Sequence, residues 1–334
     1  MIDGYATFSH YLDHLAPIWL GLPDDVRGDF QVYDAELVPY AAMLGIEARY
    51  RTVYDHPERL LLVAGGHDLT HQPGRRHILM EHGAGQTYLN AAAGWNGYAG
   101  GVGRESVELF ICPARRVADA NLAVYPDARA VVVGSPRLDP WLNRQRERSP
   151  AGDRPRVVVS THWNGGAKID ESLSAWPEYR RHYSTLDGNG SLTVSKHAHP
   201  RWADHIRRDL PDLPFIESFD EVLATADLYV CDNSSTQYET AALGIPNVVV
   251  NSTMYRRDVH HGLRFWSHIP GPQVDDPDHL AATVREVLDH PDQWADYARR
   301  VANDVYDGLL DGHATERAVG AILDLHETSQ VPVP

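Results

Sequence analysis

The sequence predicts an α/β protein made of two open domains, each built on a parallel sheet covered by helices on both faces. Three observations carry this expectation. Short apolar runs rich in Val, Leu and Ile recur: LLLVA (60–64), HILM (77–80), LFIC (109–112), AVVV (130–133), VVVS (157–160), LTVS (192–195), LYVC (228–231) and NVVV (247–250). Helix-like stretches lie between many of them, among them ADANLAVY, DESLSAWPEYRRHYSTL and SSTQYETAALG. Continuous apolar strands alternating with helices indicate parallel sheets. Finally, the polar segment NRQRERSPAGDRPR (143–156) reads as a linker between two such halves. A chain of 334 residues also exceeds what one hydrophobic core serves.

Composition narrows the classes of function. With 43% hydrophobic and 23% charged residues the chain has a globular composition. It contains no apolar run of about 18 residues, so no stable membrane insertion is expected. The opening MIDGYATFSHYLDHLAPIW lacks a basic patch followed by a cleavage site, and a cytoplasmic protein is expected. The two cysteines, Cys112 and Cys231, sit inside apolar runs and read as buried thiols. A net charge of −16 disfavours a coat for nucleic acid or anionic lipid. Nineteen histidines supply groups that exchange protons near neutral pH.

The motifs fall at the ends of the apolar runs, where open parallel sheets bind ligands. ADLYVCDNSSTQYETAALGIPNVVVN reads strand, tight turn, helix, turn, strand. Asn233 or Ser234 serves as an N-cap, Gly244 as a helix stop, and Pro246 precedes the next strand. Backbone N–H groups at the helix start, with Asn233 and the hydroxyls of Ser234, Ser235 and Thr236, make an anion site. Glu239, one turn on, is placed to accept hydrogen bonds from a ribose diol. A simple capping cluster has the same residues.

Two histidine motifs favour the anion site. HILMEHGAGQTY sets Glu81, His82 and Gly83 at a strand end. Gly83 permits close approach, and His82 there can take a proton from an attacking hydroxyl. LTVSKHAHPRW sets Lys196, His197, His199 and Arg201 at another strand end, with Pro200 stopping the strand. Such a cationic cluster suits a leaving phosphate, although a solvated basic loop reads the same. In GSPRLD (134–139), Arg137 either meets a phosphate or pairs with Asp139, and the pairing is preferred. In STHWNGG (160–166), Trp163 and Asn164 either cover a base or form a turn. GGHDLTHQPGRRH (65–77) has His67 and His71 at the spacing of one helix face, but Gly65, Gly66, Pro73 and Gly74 argue for a loop.

Together these motifs resemble the CDP-glycerol glycerophosphotransferase family of teichoic-acid primases and polymerases, in the GT-B glycosyltransferase superfamily. The likeness rests on EHGAGQTY, GSPRLD, HAHPR, DNSSTQYETAALGIP and LDGHATERAVGAIL, in that order, over roughly residues 77 to 325. Asn233 stands where the family's segment has an aromatic residue, and the stretch after His82 is Gly/Ala-rich and lacks the family's lysine. These departures, with the short acidic chain, open the donor to nucleotide sugars and the acceptor to molecules other than wall polymers.

The resemblance implies a GT-B fold: two Rossmann-like domains facing across a cleft, with a final helix crossing back. The expected parts are an acceptor-side domain (1–142), the linker (143–156), a nucleotide-donor domain (157–312) and a helix at 313–327 packing on the first domain. It implies that His82 is the general base and that His199 holds or protonates the donor phosphate. Ser234 and Ser235 would bind the diphosphate and Glu239 the ribose. Asn233, Thr236, Lys196 and Arg201 are further phosphate candidates, Trp163 and Asn164 nucleotide candidates, and Gly83 and Arg137 cleft residues. Arg317 reads as structural. The expected activity is transfer of a glycosyl or glycerophosphate group from a nucleotide-diphosphate donor to a hydroxyl on a glycan, protein, nucleobase or small molecule. No cofactor and no metal are expected, because backbone dipoles and histidines can carry the charge left on the nucleotide and no DxD-type motif stands at a strand end in the expected place. A nucleotide-sugar epimerase or hydrolase of the same fold, and a glycosyltransferase on modified DNA bases, are the alternatives. Metal-dependent hydrolysis and a binding protein without turnover rank below them.

Overall fold

A computed structural model describes residues 1–51, 56–84, 99–101, 103–143, 153–164, 173–188, 190–255 and 267–330. Most of the linker segment (144–152) and of the Gly/Ala-rich stretch (85–98) lies outside the described residues. The chain divides into two compact units. One comprises Met1–Thr87, Ala93–Asn143 and Tyr306–Pro334, the other Tyr88–Ala92 and Arg144–Val305.

The first unit runs β1 (Ile2–Ala6), α1 (Ser9–Gly21), β2 (Arg27–Val32), α2 (Leu37–Met43), β3 (Ala48–Tyr50), β4 (Leu60–Val63), α3 (Gly66–His71), β5 (Arg76–Met80), β6 (Val107–Cys112), α4 (Arg115–Val124), β7 (Arg129–Val132) and α5 (Asp139–Asn143). Its parallel sheet has the order β3-β2-β1-β4-β5-β6-β7. The order reverses between β1 and β4, a switch point of the kind that opens a crevice at the strand carboxyl ends.

The apolar runs of β4 to β7 match the sequence expectation, whereas β1, β2 and β3 carried no apolar run to find. Asp3 interrupts β1 as a buried carboxylate, held by Arg75 at 3.2 Å, Arg59 at 3.4 Å and the Asp29 N–H at 3.1 Å. Gly4 allows Phe30 of β2 to lie where a Cβ would stand only 2.3 Å from its ring. The segment 65–77 corrects the loop expectation, since Gly66–His71 is helical. Its glycines open the helix, and Pro73 and Gly74 lie beyond its end.

The second unit contains β8 (Arg156–Thr161), α6 (Trp176–Tyr183), β9 (Thr193–Ala198), α7 (Ala203–Asp209), α8 (Phe219–Thr225), β10 (Leu228–Cys231), α9 (Thr236–Ala242), β11 (Asn247–Val250), β12 (Gln273–Val274), α10 (Leu280–Asp289) and α11 (Pro291–Val305). Its parallel sheet has the order β12-β11-β10-β8-β9. Here the order reverses between β8 and β10. Val157, Val159, Leu228, Val230, Val248 and Val250 form its apolar centre, closed by Trp176 and Tyr179 of α6 and Leu280 and Val284 of α10.

Tyr306 to His313 separate α11 from α12 (Ala314–Gln330). Helix α12 belongs to the first unit, where Ala318, Ile322 and Leu325 enter the core with Leu12, Leu15 and Trp19 of α1. The Asp139 carboxylate accepts from Ala314 N at 3.2 Å and Thr315 N at 2.6 Å, satisfying donors that a helix start leaves open. Arg137 does not pair with Asp139; its guanidinium meets Asp13 of α1 at 3.4 Å. Arg317 donates to the Val133 carbonyl at 2.7 Å and pairs with Asp311 at 2.8 Å.

Buried titratable groups in the first unit make stability depend on pH. His77 is buried in β5 with Nδ1 2.9 Å from Ser106 Oγ. Burial, assisted by Arg75, pushes its pKa down to about 4. The unfolded imidazole binds its proton near 6.5, so stability falls as the pH drops from 6.5 towards 4. Asp68, raised by burial to about 7, acts in the opposite sense and loses stability as the pH rises through 7. Between pH 7.5 and pH 5, His77→Gln should spare the protein about 2 kcal/mol of acid destabilisation relative to the natural chain. Urea unfolding of both proteins at the two pH values measures that difference.

Candidate active site

In the second unit three neighbouring strand ends meet. Asp232, the first residue after β10, is buried and ties them together. Its carboxylate accepts from His162 N at 2.9 Å, Thr161 Oγ1 at 3.2 Å, Ser174 Oγ at 2.7 Å and Ala175 N at 3.0 Å. The end of β8 is thereby fixed beside the end of β10, at the switch point of this sheet.

The turn after β10 places Ser234 Oγ 2.8 Å from Thr236 Oγ1, which in turn lies 2.8 Å from the Tyr229 hydroxyl. The expectation of open N–H groups here needs correction. Thr236 N donates to Ser234 Oγ, Gln237 N to Ser234 O and Tyr238 N to Ser235 O. Those three amides are therefore already satisfied within the turn. Asn233 and Glu239 are each 1% exposed, while Ser235 and Thr236 are half-buried.

The basic cluster of β9 separates into two groups. Lys196 lies inside the strand, 1% exposed, and its ammonium donates to the carbonyls of Arg207 and Leu210 at the end of α7. The placement of Lys196 as a phosphate ligand is therefore corrected: it caps a helix C-terminus, where a cation complements the dipole. His197 is likewise within β9, its Nδ1 3.1 Å from Ser160 Oγ and its ring against Phe219.

His199 lies just past the strand, and Pro200 opens a 3-10 turn, Pro200–Trp202. Its Nδ1 accepts from Arg201 N at 3.2 Å, so the neutral ring carries its proton on Nε2. The Arg201 guanidinium sits 5.1 Å over Trp163, and the ring of His162 lies 5.4 Å from that of His199. His162 donates from Nδ1 to the Trp163 carbonyl at 2.9 Å. Burial pushes its pKa down to about 3, so it stays a neutral acceptor through Nε2. Asn164 follows, half-buried.

In the first unit His82 follows β5. Gly83 adopts φ +68°, a left-handed turn that favours glycine. The ring of His82 is 4.9 Å from Tyr11, 5.9 Å from His10 and 6.0 Å from His14, all on α1. Burial first, then Arg137 and His82, hold the His14 pKa well below its usual value, which keeps it neutral. Beneath His82, the buried Glu81 carboxylate pairs with Arg104 and accepts from Asn121 Nδ2 at 3.0 Å.

Sequence reasoning passed over His10, Tyr11, His14, His162 and Asp232. The i, i+4 spacing in SHYLDHL was a signal for the α1 histidines. For Asp232, the position immediately after a buried strand was the signal.

No family model matches the chain. No curated protein matches it either. Solved structures do. A UDP-GlcNAc 2-epimerase from Neisseria meningitidis bound to UDP-GlcNAc is 14% identical with a TM-score of 0.61, covering 97% of this chain and 99% of its own. The S. aureus MnaA–UDP co-structure is 16% identical with a TM-score of 0.64, covering 99% and 98%. The wall teichoic acid polymerase TagF is 13% identical with a TM-score of 0.67, covering 99% and 90%. The chain has the GT-B fold. At these identities the likeness shows architecture, and the chemistry rests on the residues above.

Proposed function

We propose that the protein is a GT-B transferase. It moves a glycosyl or glycerophosphate group from a nucleotide-diphosphate donor to an acceptor hydroxyl. One observation carries this reading: at the switch point of the second unit and the strand beside it, hydroxyls (Ser234, Ser235, Thr236), an Nε2–H donor (His199), a guanidinium (Arg201) and an aromatic face (Trp163) gather at adjacent strand ends. Donors and cations suit a diphosphate and a flat ring suits a nucleobase. Structures that share the fold include a complex with UDP and one with UDP-GlcNAc, which supports a nucleotide ligand.

In this reading the second unit holds the donor. His199 Nε2–H and Arg201 stabilise the charge left on the nucleotide, a diphosphate when a glycosyl group moves and a monophosphate when the β-phosphorus is attacked and glycerophosphate moves. Glu239 accepts from the ribose. His82, at the end of β5, is the candidate to take the acceptor's proton. The neutral His14, its ring 6.0 Å from that of His82, adds no charge of its own there.

An epimerase of the same fold is the second reading, favoured by the epimerase structures of similar architecture. Nucleotide release separates the two. A transferase releases nucleotide (nucleoside diphosphate for glycosyl transfer, monophosphate for glycerophosphate transfer) faster when acceptor hydroxyls are supplied, and the transferred group appears on the acceptor. Conversion of a nucleotide sugar to its epimer, with no acceptor dependence, would overturn the transferase reading.

A further inference from the structure

The second unit carries a pocket that the donor site does not use. It lies between helix α11 and the run into the edge strand β12, with a volume of about 450 Å³. Small ligands occupy pockets of about 300–1,000 Å³. Ile269 and Pro272 form one wall, and the Pro272 carbonyl is fixed by Val249 N of β11, which donates to it at 2.9 Å. Both residues precede Gln273, the first residue of β12. In a parallel sheet all the amino ends share one edge. The pocket therefore lies at the edge opposite the carboxyl ends of β8, β9 and β10.

The other wall is one face of α11. Gln293, Trp294, Tyr297 and Arg300 follow the spacing that brings side chains to the same helix face. The buried Ala295, Ala298 and Ala302 seat the helix on the unit from its other side. Trp294 packs partly into the core of the unit, and Tyr297 is 38% exposed. Their ring centroids are 5.8 Å apart and their planes stand at 85°, so two aromatic side chains meet in a corner. Gln273, Gln293 and Arg300 are exposed around it. Gln273 accepts from Asn251 Nδ2 at 3.1 Å through Oε1, a bond that leaves its NH₂ group as a donor. Among the described residues no acid lines the pocket, in a chain of net charge −16.

The geometry points to a second binding site, for a saccharide of one or two rings. A pyranose has an apolar C–H face and a girdle of hydroxyls. Aromatic rings bury the first, and amides and a guanidinium hydrogen-bond the second. A wholly apolar ligand would leave those polar groups unpaired. A strongly anionic one would find a single cation, Arg300. Occupancy of the pocket stands apart from the transferase reading. Its role rests on that reading: a glycan held here raises the local concentration of acceptor hydroxyls.

Saturation-transfer NMR of the full chain with methyl glucoside, methyl N-acetylglucosaminide, cellobiose and chitobiose tests this, with no nucleotide present. At least one sugar should receive saturation, most strongly at its ring C–H protons. Tyr297→Ala should raise its Kd about tenfold and Gln293→Ala about threefold. Both positions are exposed, so both variants should keep the natural circular dichroism spectrum. Their affinity for nucleoside diphosphate should also be unchanged, which keeps failure here distinct from failure of the donor site. No transfer to any of these sugars, or transfer at natural strength in both variants, overturns the assignment. So does a change from dimer to monomer on Tyr297→Ala in sedimentation velocity, which would make a second copy of the chain the occupant.

Discussion

Replacing His82 with Asn should lower turnover by about 10²–10⁴-fold while leaving affinity for nucleoside diphosphate unchanged. The two parts of this result have separate causes. His82 stands at the end of β5, on the left-handed turn at Gly83, surrounded by Tyr11, His10 and His14. None of the groups placed around the donor belongs to that cluster. Loss of the imidazole therefore removes a proton acceptor and leaves the nucleotide's contacts in place. Steady-state kinetics with a competent donor and acceptor, alongside calorimetric affinities, measures both parts. A variant that turns over at the natural rate would remove His82 from the mechanism, whatever the affinity shows.

The largest effect on stability is expected from Arg104→Ala, at about 3–5 kcal/mol. Arg104 is 1% exposed, and its guanidinium neutralises the buried Glu81 carboxylate. It also donates to Asn121 Oδ1 at 3.1 Å, and Asn121 returns to Glu81. Truncation leaves a carboxylate uncompensated next to His82. Adding Glu81→Gln to Arg104→Ala should recover part of the loss, since a neutral amide costs less to bury than an unpaired charge. Urea unfolding of the single and double variants gives the two numbers. A single variant as stable as the natural chain would show that the pair contributes nothing net.

The class of fold was legible because β4, β5, β6, β8, β10 and β11 are largely buried and read as apolar runs. The strands that escaped notice have physical reasons to be inconspicuous. Strand β1 carries the buried Asp3 and the close-packed Gly4, β2 begins with Arg27, Gly28 and Asp29, and β3 and β12 have three and two residues. Helix α3 is hard to see in the sequence because Gly65, Gly66, Pro73 and Gly74 crowd its edges with residues that favour loops.

At the site, residue type was a good guide to strand ends and a poor guide to direction. Lys196 and Arg201 are both cationic and five positions apart, yet one caps α7 and the other lies over Trp163. Nothing in residue type separates them; the strand's end after Ala198 does. The partner of Arg137 was equally hidden, because Asp13 is distant in sequence while Asp139 is close. His162 shows the reverse case, a buried neutral histidine next to a tryptophan that had drawn attention on its own.

Isothermal titration of the protein with CDP, UDP, GDP and dTDP tests the central claim most directly, which is that the second unit holds a nucleoside diphosphate at the ends of β8, β9 and β10. One of the four should bind with one-to-one stoichiometry, and His199→Ala or Arg201→Ala should weaken it by about 10–100-fold through lost charge-assisted hydrogen bonds. Absence of heat with all four, or binding that neither substitution changes, would contradict the account.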